Sequence, residues 1–423
     1  MLSSTGNKAY FIKKAFFLND KIVLFSTLYD AKAKKITAGY HFLSKEGVLD
    51  KTLITLAEIE VTDDDLEKHI NFVISPDQTK IGMYYPIETD AKNPKPGVFV
   101  KMLNSKDFSA IWESKYMFQD KEADIEKVMI NNQGTVFVLA KIGLEGQEKD
   151  KSAQKYKYVL NVCNNGSKSF ENFNLKIGDQ YFVNNVLVKI DQEDNILASG
   201  FYSEKSANYA KGAFVTKIDS RTGEIRLNAL APFAQGISED KDEGDKEKAF
   251  FHMRDISFLK DGSIILTGEQ YYIDISRSRG YGAYGAIGGS TDFTYRYKDM
   301  LVMALASDGQ MKWMKSIPKK QITANDGALY SSYVPVIIND KISIMVNGHV
   351  DGLEKRMSAF TDNNMVYLLE FDASGNMNKK TLYSGAEAET RLCPKVSYRV
   401  SDKELILYNV RRSGKYRFAR VNF

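Results

Sequence analysis

The chain has 423 residues, of which 43% are hydrophobic and 12% aromatic, enough for a large core. Its 58 lysine and arginine residues nearly balance its 54 aspartate and glutamate residues, and the basic residues are interleaved with acidic ones, so we expect no nucleic-acid partner. No apolar run is long enough to span a membrane. The four histidines and two cysteines have no metal-ligand spacing, so we expect no metal site.

A hairpin of two short apolar strands joined by a polar turn recurs along the chain. The copies read "FFLNDKIVLFS", "FVISPDQTKIGMYY", "VMINNQGTVFVLA", "VKIDQEDNILASG", "SFLKDGSIILTGE", "VIINDKISIMVNG" and "YRVSDKELILYNV". Their turns centre near Asp20, Asp77, Gln133, Asp194, Asp261, Asp340 and Asp402. Asn, Asp and Gly suit such turns because they tolerate a left-handed backbone.

A second hairpin follows each of the first six. These copies read "YHFLSKEGVLDKTLI", "VFVKMLNSKDFSAIWES", "YVLNVCNNGSKSFENF", "FVTKIDSRTGEIRLNA", "LVMALASDGQMKWMKSI" and "YLLEFDASGNMNKKTLY", while a seventh, "YRFARVNF", stops before its turn. Repeats of four antiparallel strands predict an all-β fold, a seven-bladed β-propeller forming a single domain over residues 1–423. The predicted blades span approximately 9–57, 69–118, 125–176, 182–231, 251–317, 332–384 and 393–423, with a closing strand from residues 1 to 12. Alternatives are six or eight blades, or two stacked β domains.

Several segments resemble known propeller families. The segment "FVISPDQTKIGMYY" resembles the blade motif of TolB-like propellers. The segments "KIDSRTGEIRLNA" and "LASDGQMKWMKSI" resemble outer hairpins of quinoprotein-type propellers, with Trp313 at the place of their docking tryptophan. Over most of its length the chain is similar to exported β-propellers of unknown function that are common in Bacteroidota. This resemblance implies export to the periplasm or cell surface, although the start "MLSSTGNKAY" shows no signal peptide.

Long insertions fall on one predicted face of the disc, where second strands lead to third strands and blades are linked. They are Pro86 to Gly97, Lys141 to Lys155, Ser238 to Lys248, Pro318 to Ser332, and Asp351 to Asn363. Insertions that gather on one face often mark a binding face, so we expect a protein or glycan partner there. The alternative is that long loops are merely tolerated on that face.

The segment "RGYGAYGAIGG", from Arg279 to Gly289, contains the pattern G-x-G-x-x-G. A dinucleotide site would need a following helix, whereas both flanks alternate like strands, so we expect no cofactor. The segment predicts a hairpin arm inserted in blade five, from Ser276 to Lys298. The binding candidates on this arm are Arg277, Arg279, Tyr281, Tyr284, Tyr295, Arg296 and Tyr297. The alternative is an arm that packs back onto its own propeller.

Candidates for the central channel are His252, Arg254 and Asp255 in "FHMRDIS", with His349 and Asp351 as a further pair. Each is equally a hydrogen-bonded residue near a strand end, and no catalytic motif of a known class is present. We therefore predict a non-enzymatic extracytoplasmic propeller, a module that binds a protein or glycan or acts as a scaffold. The alternative is a glycan-active lyase or hydrolase that uses carboxylate, Tyr and Arg groups of the channel.

The two cysteines, Cys163 and Cys393, fall in blades three and seven. A disulfide needs Cα atoms within about 7 Å, so residues this far apart on a ring are predicted to be unpaired.

Overall fold

The computed structural model describes residues 2–3, 9–44, 48–50, 52–62, 64–89, 92, 94–144, 155–164, 170–173, 175, 177–178, 181–191, 193–204, 210–234, 250–281, 287–358, 363–388, 390–401, 404–411 and 416–422. These residues form an all-β protein. Its described helices are α1 (Asp65–His69), α2 (Gly385–Ala388) and one 3-10 helix (Pro394–Val396). None of these helices could cross a bilayer, which takes about 20 residues.

The chain forms two compact units. The first comprises Met1–Lys176, Val188–Leu197 and Ile218–Glu224, and the second comprises Ile177–Leu187, Ala198–Lys217 and Ile225–Phe423.

The first unit contains three antiparallel sheets whose strands follow chain order. Sheet 1 consists of β1 (Leu2–Ser3), β2 (Ala9–Leu18), β3 (Lys21–Asp30), β4 (Lys35–Leu43) and β5 (Ile54–Glu60). Sheet 2 consists of β6 (Asn71–Ile74), β7 (Lys80–Glu88), β8 (Pro96–Asn104) and β9 (Ala110–Met117). Sheet 3 consists of β10 (Ala123–Ile130), β11 (Val136–Gly143), β12 (Tyr156–Cys163) and β13 (Glu171–Phe173).

Sheet 4 has residues in both units and again follows chain order. It consists of β14 (Phe182–Ile190), β15 (Asn195–Ser203), β16 (Gly212–Asp219) and β17 (Ile225–Pro232).

The second unit contains three further sheets. Sheet 5 consists of β18 (Phe250–Phe258), β19 (Ile264–Tyr281), β20 (Ile287–Leu305), β21 (Met311–Ile317), β22 (Gln321–Ala324) and β25 (Met357–Ser358). Sheet 6 consists of β23 (Tyr333–Ile338), β24 (Lys341–His349), β26 (Asn364–Phe371) and β27 (Met377–Ser384). Sheet 7 consists of β28 (Thr390–Leu392), β29 (Tyr398–Ser401), β30 (Glu404–Arg411) and β31 (Tyr416–Asn422).

Both predicted series of hairpins are present in the described residues. The first six turns of the first series join β2 to β3, β6 to β7, β10 to β11, β14 to β15, β18 to β19, and β23 to β24. The predicted left-handed residues are also there: Asp20 has a φ of 60°, Asp194 of 66° and Asp340 of 60°. The seventh turn, at Asp402, lies outside the described residues.

The ends of the chain differ from the other repeats. In sheet 7, β31 pairs with β30 along most of its length, so β28 and β29 share the other edge of β30. The first strand of this repeat is therefore broken in two, and the 3-10 helix fills the break. At the N-terminus, Leu2–Ser3 pairs with Ala9–Tyr10 in sheet 1. Completion of the last repeat by residues 1 to 12 stays a prediction.

The central strands are buried on both faces, whereas the outer strands alternate. Strands β11 and β15 have five or more consecutive buried residues, whereas β9 and β17 mostly alternate between exposed and half-buried positions. Sheets 1 and 2 share a core, in which the rings of Phe25 and Phe72 lie with centroids 4.5 Å apart. Burial on both faces explains why the central strands read as apolar runs. Cys163 and Cys393 are both buried and unpaired.

Adjacent repeats are joined through their first-series turns. The Asp77 backbone N–H donates to Asn132 Oδ1 at 2.9 Å, and the Asn132 N–H donates to Asp194 Oδ1 at 3.2 Å. In the second unit the Lys260 N–H donates to Asp340 Oδ1 at 2.8 Å. The polar residues of these turns thus bond to the neighbouring turn as well as to their own backbone.

Adjacent repeats also meet through a glycine in the turn before the outer strand. A Cβ on Gly375 would lie 2.6 Å from the Trp313 ring of the preceding repeat, and one on Gly223 would lie 2.7 Å from the Phe173 ring. Both glycines have a left-handed backbone, with φ of 80° and 72°. Trp313 also stacks on Phe371, with ring centroids 5.7 Å apart and an interplanar angle of 10°. The tryptophan singled out in the sequence therefore packs between repeats.

We expect Gly375→Ala to destabilise the second unit more than Gly327→Ala does. Both positions have positive φ, so both substitutions strain the backbone, but a Cβ at Gly327 has no neighbour within 4 Å. The difference in the free energy of unfolding between the two variants therefore measures overpacking against Trp313, which typically costs about 1–3 kcal/mol. Urea unfolding of the two variants measures it. Equal urea midpoints for the two variants would show that the Trp313 ring moves aside without a measurable loss of stability.

Candidate functional site

Two irregularities in the strands of sheet 5 flank Glu269. In β18, Met253 pairs with Gly268 and Asp255 pairs with Thr267, which leaves Arg254 as an extra residue in a β-bulge. In β20 the register also shifts after Glu269, by one residue. Bulges re-aim side chains and are common beside functional sites.

Glu269 is the centre of a buried ionic group, which we call the Glu269 cluster and define as Arg254, Glu269, Lys319 and Ser332. Arg254 Nε lies 3.0 Å from Glu269 Oε1, and Lys319 Nζ lies 3.0 Å from Oε2. The Ser332 hydroxyl donates to Oε1 and accepts from Arg254 Nη2 at 3.4 Å. The side chains of Glu269 and Lys319 are fully buried. A buried carboxylate needs such partners, because burial without them costs several kcal/mol.

Amide side chains extend the cluster across the second unit. Lys319 Nζ donates to Gln321 Oε1 at 3.1 Å, and Gln321 Nε2 donates to the Asn347 carbonyl at 2.8 Å. Asn347 Nδ2 in turn donates to the carbonyls of Tyr330, at 2.8 Å, and Leu392, at 2.7 Å. Strands of sheets 5, 6 and 7 are therefore tied to one hydrogen-bonded network.

Aromatic rings and two cations form the outer layer of the cluster. Tyr271 and Tyr297 stack with centroids 5.2 Å apart, and His252 lies against Tyr271 at 4.4 Å. The Arg254 guanidinium lies 5.6 Å from the centroid of Tyr271. Lys395, on the 3-10 helix, donates from Nζ to the Tyr297 hydroxyl at 2.7 Å. Arg254 is 29% exposed and Lys395 is exposed, so these two cations reach solvent.

Burial dominates the protonation behaviour of this layer. It lowers the pKa of His252, and the nearby Arg254 charge lowers it further. Burial also lowers the pKa of Lys395, with a further contribution from Arg254. Burial raises the pKa of Tyr297, and the Glu269 charge adds to the increase. His252 is therefore neutral at pH 7, which leaves Arg254 and Lys395 as the cations of the outer layer.

Of the three predicted channel candidates, the structure brings two into this site. His252 and Arg254 lie in the outer layer, whereas Asp255 accepts a hydrogen bond from the Ser257 hydroxyl at 2.6 Å. His349 and Asp351 lie together at the end of β24, with Nδ1 and Oδ2 3.4 Å apart. The residues that were not predicted are Glu269, Tyr271, Lys319, Ser332 and Lys395. One signal was available, since Glu269 is a charged residue that directly follows the segment "IILTG" at the start of β19.

The predicted arm is a continuation of β19 and β20. The two strands pair from Tyr271 opposite Tyr297 as far as Tyr281 opposite Ile287. Residues 282–286, including Tyr284, lie outside the described residues, as do the side chains of Arg279 and Tyr281.

Two segments predicted to be loops support the base of the arm. Pro318 to Ser332 contains β22, which pairs with β20 from Thr294 to Tyr297. Asp351 to Asn363 contains β25, which pairs with β22 in parallel. These two predicted insertions therefore contain strands whose backbones extend sheet 5. Of the other predicted insertions, residues 145–154 and 238–248 lie outside the described residues.

The two faces of the arm differ in chemistry. We call one the apolar face and define it as Ile273, Ile275, Arg277, Phe293 and Tyr295. Cross-strand pairing puts Ile273 opposite Tyr295 and Ile275 opposite Phe293. Ile273, Ile275 and Phe293 are 43%, 57% and 36% exposed, and Arg277 is also exposed.

The opposite face is polar. It carries Asp274, Ser276, Asp292, Thr294 and Arg296. The Arg296 guanidinium is paired with Asp274, so this predicted binding residue braces the arm. Tyr297 is only 3% exposed and belongs to the outer layer of the cluster. Of the predicted binding residues whose side chains are described, Arg277 is exposed and Tyr295 is half-buried.

No protein-family model matches the chain, and no curated protein matches its sequence. The chain is similar in structure to an ulvan lyase of polysaccharide lyase family PL25, with 9% identity and a TM-score of 0.43 over 95% of this chain and 90% of the other. It is also similar to the WD40 domain of SCAP from fission yeast, with 9% identity and a TM-score of 0.33 over 98% of both chains. An acylaminoacyl peptidase from Pyrococcus horikoshii matches with 11% identity and a TM-score of 0.34 over 95% of this chain and 58% of the other.

We expect Glu269→Gln to lower the free energy of unfolding by about 3–5 kcal/mol, because it leaves the Lys319 ammonium buried without its counter-charge. Adding Lys319→Met should restore part of the loss. The matched control is Asp261→Asn, which breaks an exposed 2.9 Å pair with Lys312 and should cost less than about 1 kcal/mol. Chemical denaturation measures all three variants. Equal losses for Glu269→Gln and Asp261→Asn would contradict the central role of Glu269.

We also expect an acid-dependent loss of stability from His252. Its pKa in the folded protein is below the value of about 6.5 in an unfolded chain, so the unfolded state binds more protons below that pH. Stability should fall as pH drops through 6.5 towards the folded pKa, and His252→Asn should remove part of that dependence. Denaturation at pH 7.5 and 5.5 tests this, with the exposed His69→Asn as the control. If His252→Asn loses as much stability between pH 7.5 and pH 5.5 as the wild type does, His252 is not the source of the pH dependence.

Proposed function

We propose that this protein is a seven-bladed β-propeller that binds a partner protein through the apolar face of its arm. The proposed blade count is supported by seven sheets in the described residues and by two series of hairpins with the same period. Export to the periplasm or cell surface, as in the Bacteroidota propellers that the sequence resembles, stays a prediction and gives the place to look for the partner.

The observation that carries the proposal is the exposure of three large apolar side chains on one face of an ordered hairpin. Ile275 and Phe293 are directly opposite each other, and Ile273 lies beside them. Covering apolar surface contributes about 25 cal/mol per Å², and contiguous exposed apolar patches commonly mark interaction sites.

The support at the base of the arm makes docking less costly. β22 pairs with β20 at Thr294 to Tyr297, and the pairing of Arg296 with Asp274 ties the two arm strands together. A surface that is already ordered loses less conformational entropy on binding than a free loop would.

The face also indicates the chemistry of the partner. Arg277 extends the apolar row and is exposed, and it lies opposite Thr291. A polypeptide segment with apolar side chains and a nearby Asp or Glu would match this surface, because the carboxylate could pair with Arg277.

A second candidate function is a glycan-active enzyme, a lyase or hydrolase, at the Glu269 cluster. The contact between Lys395 Nζ and the Tyr297 hydroxyl favours it, since an amine and a phenol that share a hydrogen bond can exchange a proton. Release of reducing ends from acidic polysaccharides, lost in Tyr297→Phe, would support this function. Equal release by wild type and variant would refute it for this site.

The test of the first proposal compares the two faces of the arm. Ile275→Ser with Phe293→Ser should reduce recovery of a specific protein from the envelope fraction of the source organism at least about tenfold. The control, Ser276→Ala with Asp292→Asn, alters an opposite pair on the polar face and should leave recovery unchanged. Circular dichroism checks that both variants are folded.

Arg277→Glu then tests the chemistry of the partner. It should weaken binding of the same protein, measured with purified components, and photocrosslinking from position 275 should identify a segment that carries acidic and apolar residues. The same recoveries from all variants would refute the proposal, as would a crosslinked segment without acidic residues.

A further inference from the structure

We propose that the outer layer of the Glu269 cluster is a binding site for a carboxylate anion, held between Arg254 and Lys395. This site is separate from the apolar face of the arm, and nothing in the partner-binding function requires it.

Arg254 and Lys395 both reach solvent beside the buried ion pair. The buried carboxylate of Glu269 is matched by the buried ammonium of Lys319, which has no exposed surface. Arg254, which is 29% exposed, pairs with the same carboxylate from the side that faces solvent. Lys395 is exposed and contacts the hydroxyl of Tyr297. Burial lowers the pKa of Lys395, and the charges of Glu269 and Asp326 oppose that change.

Other carboxylates near the cluster are engaged or face away from solvent. Asp326 Oδ1 accepts from the Thr323 hydroxyl at 2.8 Å and from the Ala328 N–H at 2.9 Å, and Asp326 Oδ2 is buried without a hydrogen-bond partner among the described residues. Asp299 Oδ1 accepts from the Lys319 backbone N–H at 3.4 Å. Neither contact uses the hydrogen-bond donors of Arg254 or Lys395.

Both cations have donors to offer a ligand. Arg254 uses Nε for Glu269 and Nη2 for Ser332, and within the described ranges Nη1 has no acceptor. Lys395 makes one hydrogen bond through Nζ in the same ranges, although an ammonium has three hydrogens to donate. An anion between Arg254 and Lys395 would therefore accept hydrogen bonds from donors that have no acceptor in the described residues. It would not displace any of the contacts described above.

The Arg254 guanidinium favours an anion with planar oxygens. A guanidinium presents its donors in a flat fork that matches a carboxylate. The rings of His252, Tyr271 and Tyr297 lie beside the two cations.

Thermal unfolding of the full chain with sodium acetate as the probe tests this site. Acetate replaces chloride at constant ionic strength, so that general screening is constant. A ligand that binds only the folded state stabilises it by RT ln(1 + [L]/Kd), so the unfolding temperature rises with the ligand concentration. We expect acetate to raise the midpoint of the wild type, and Lys395→Gln to weaken the apparent affinity about tenfold. Lys395→Arg should restore most of the affinity.

Two further samples make the result decisive. Lys298→Gln removes a neighbouring lysine that lies over Tyr272, and it should respond to acetate as the wild type does. Sodium sulfate stabilises folded proteins generally because it is excluded from their surface, so its effect is compared between variants. The difference in midpoint between wild type and Lys395→Gln should be larger in acetate than in sulfate. The proposal fails if acetate stabilises Lys395→Gln and wild type equally, if it stabilises neither, or if sulfate separates the two proteins more than acetate does. Because Lys395 is exposed and outside the buried pair, this variant tests the site without removing Glu269's partners.

Discussion

The buried carboxylate of Glu269 determines the arrangement of much of the second unit. Its two oxygens are satisfied only when Arg254 from β18, Lys319 from the segment after β21, and Ser332 from the residue before β23 are all in place. An unpaired charge at a fully buried position costs several kcal/mol, so any arrangement that separates these segments is disfavoured. The side chain of Glu269 in β19 therefore fixes the positions of three other segments.

The repeat architecture was accessible from the sequence because its signals are local. A polar turn between apolar strands is specified within about a dozen residues, and left-handed residues such as Asp20 and Asp340 lie where the pattern predicted them. The interlocking of repeats is less visible, since the contact between Trp313 and Gly375 joins residues of different repeats. Trp313 was singled out because it falls where quinoprotein-type propellers have a docking tryptophan, but its contact with Gly375 was not predicted.

The candidate site could be predicted only in part, because its members come together through tertiary structure. His252 and Arg254 were found as neighbours in one strand, but Lys319 and Lys395 carry no local sign that they approach them. The β-bulge at Arg254 relates this residue to Lys395, but only once the structure is known. The extra residues Lys13, Glu126 and Arg254 lie equally far before the turn residues of their repeats. Counting back by the same interval from the predicted seventh turn reaches Lys395, so the repeat itself places the two cations at equivalent positions.

The arm and the cluster depend on the same pair of rings. Tyr271 and Tyr297 form the first cross-strand pair of the arm, and they are also the aromatic wall beneath Arg254 and Lys395. Just below this pair, β19 continues into Glu269, whose bonds hold the strand in place. The ionic cluster therefore holds the strand at the base of the arm, and β22 pairs along the other edge of β20. A hairpin anchored in this way can expose apolar side chains without collapsing onto its own sheet, because its base is already fully paired. Glu269 thus supports the base of the arm, which carries the apolar face, as well as the outer layer of its own cluster.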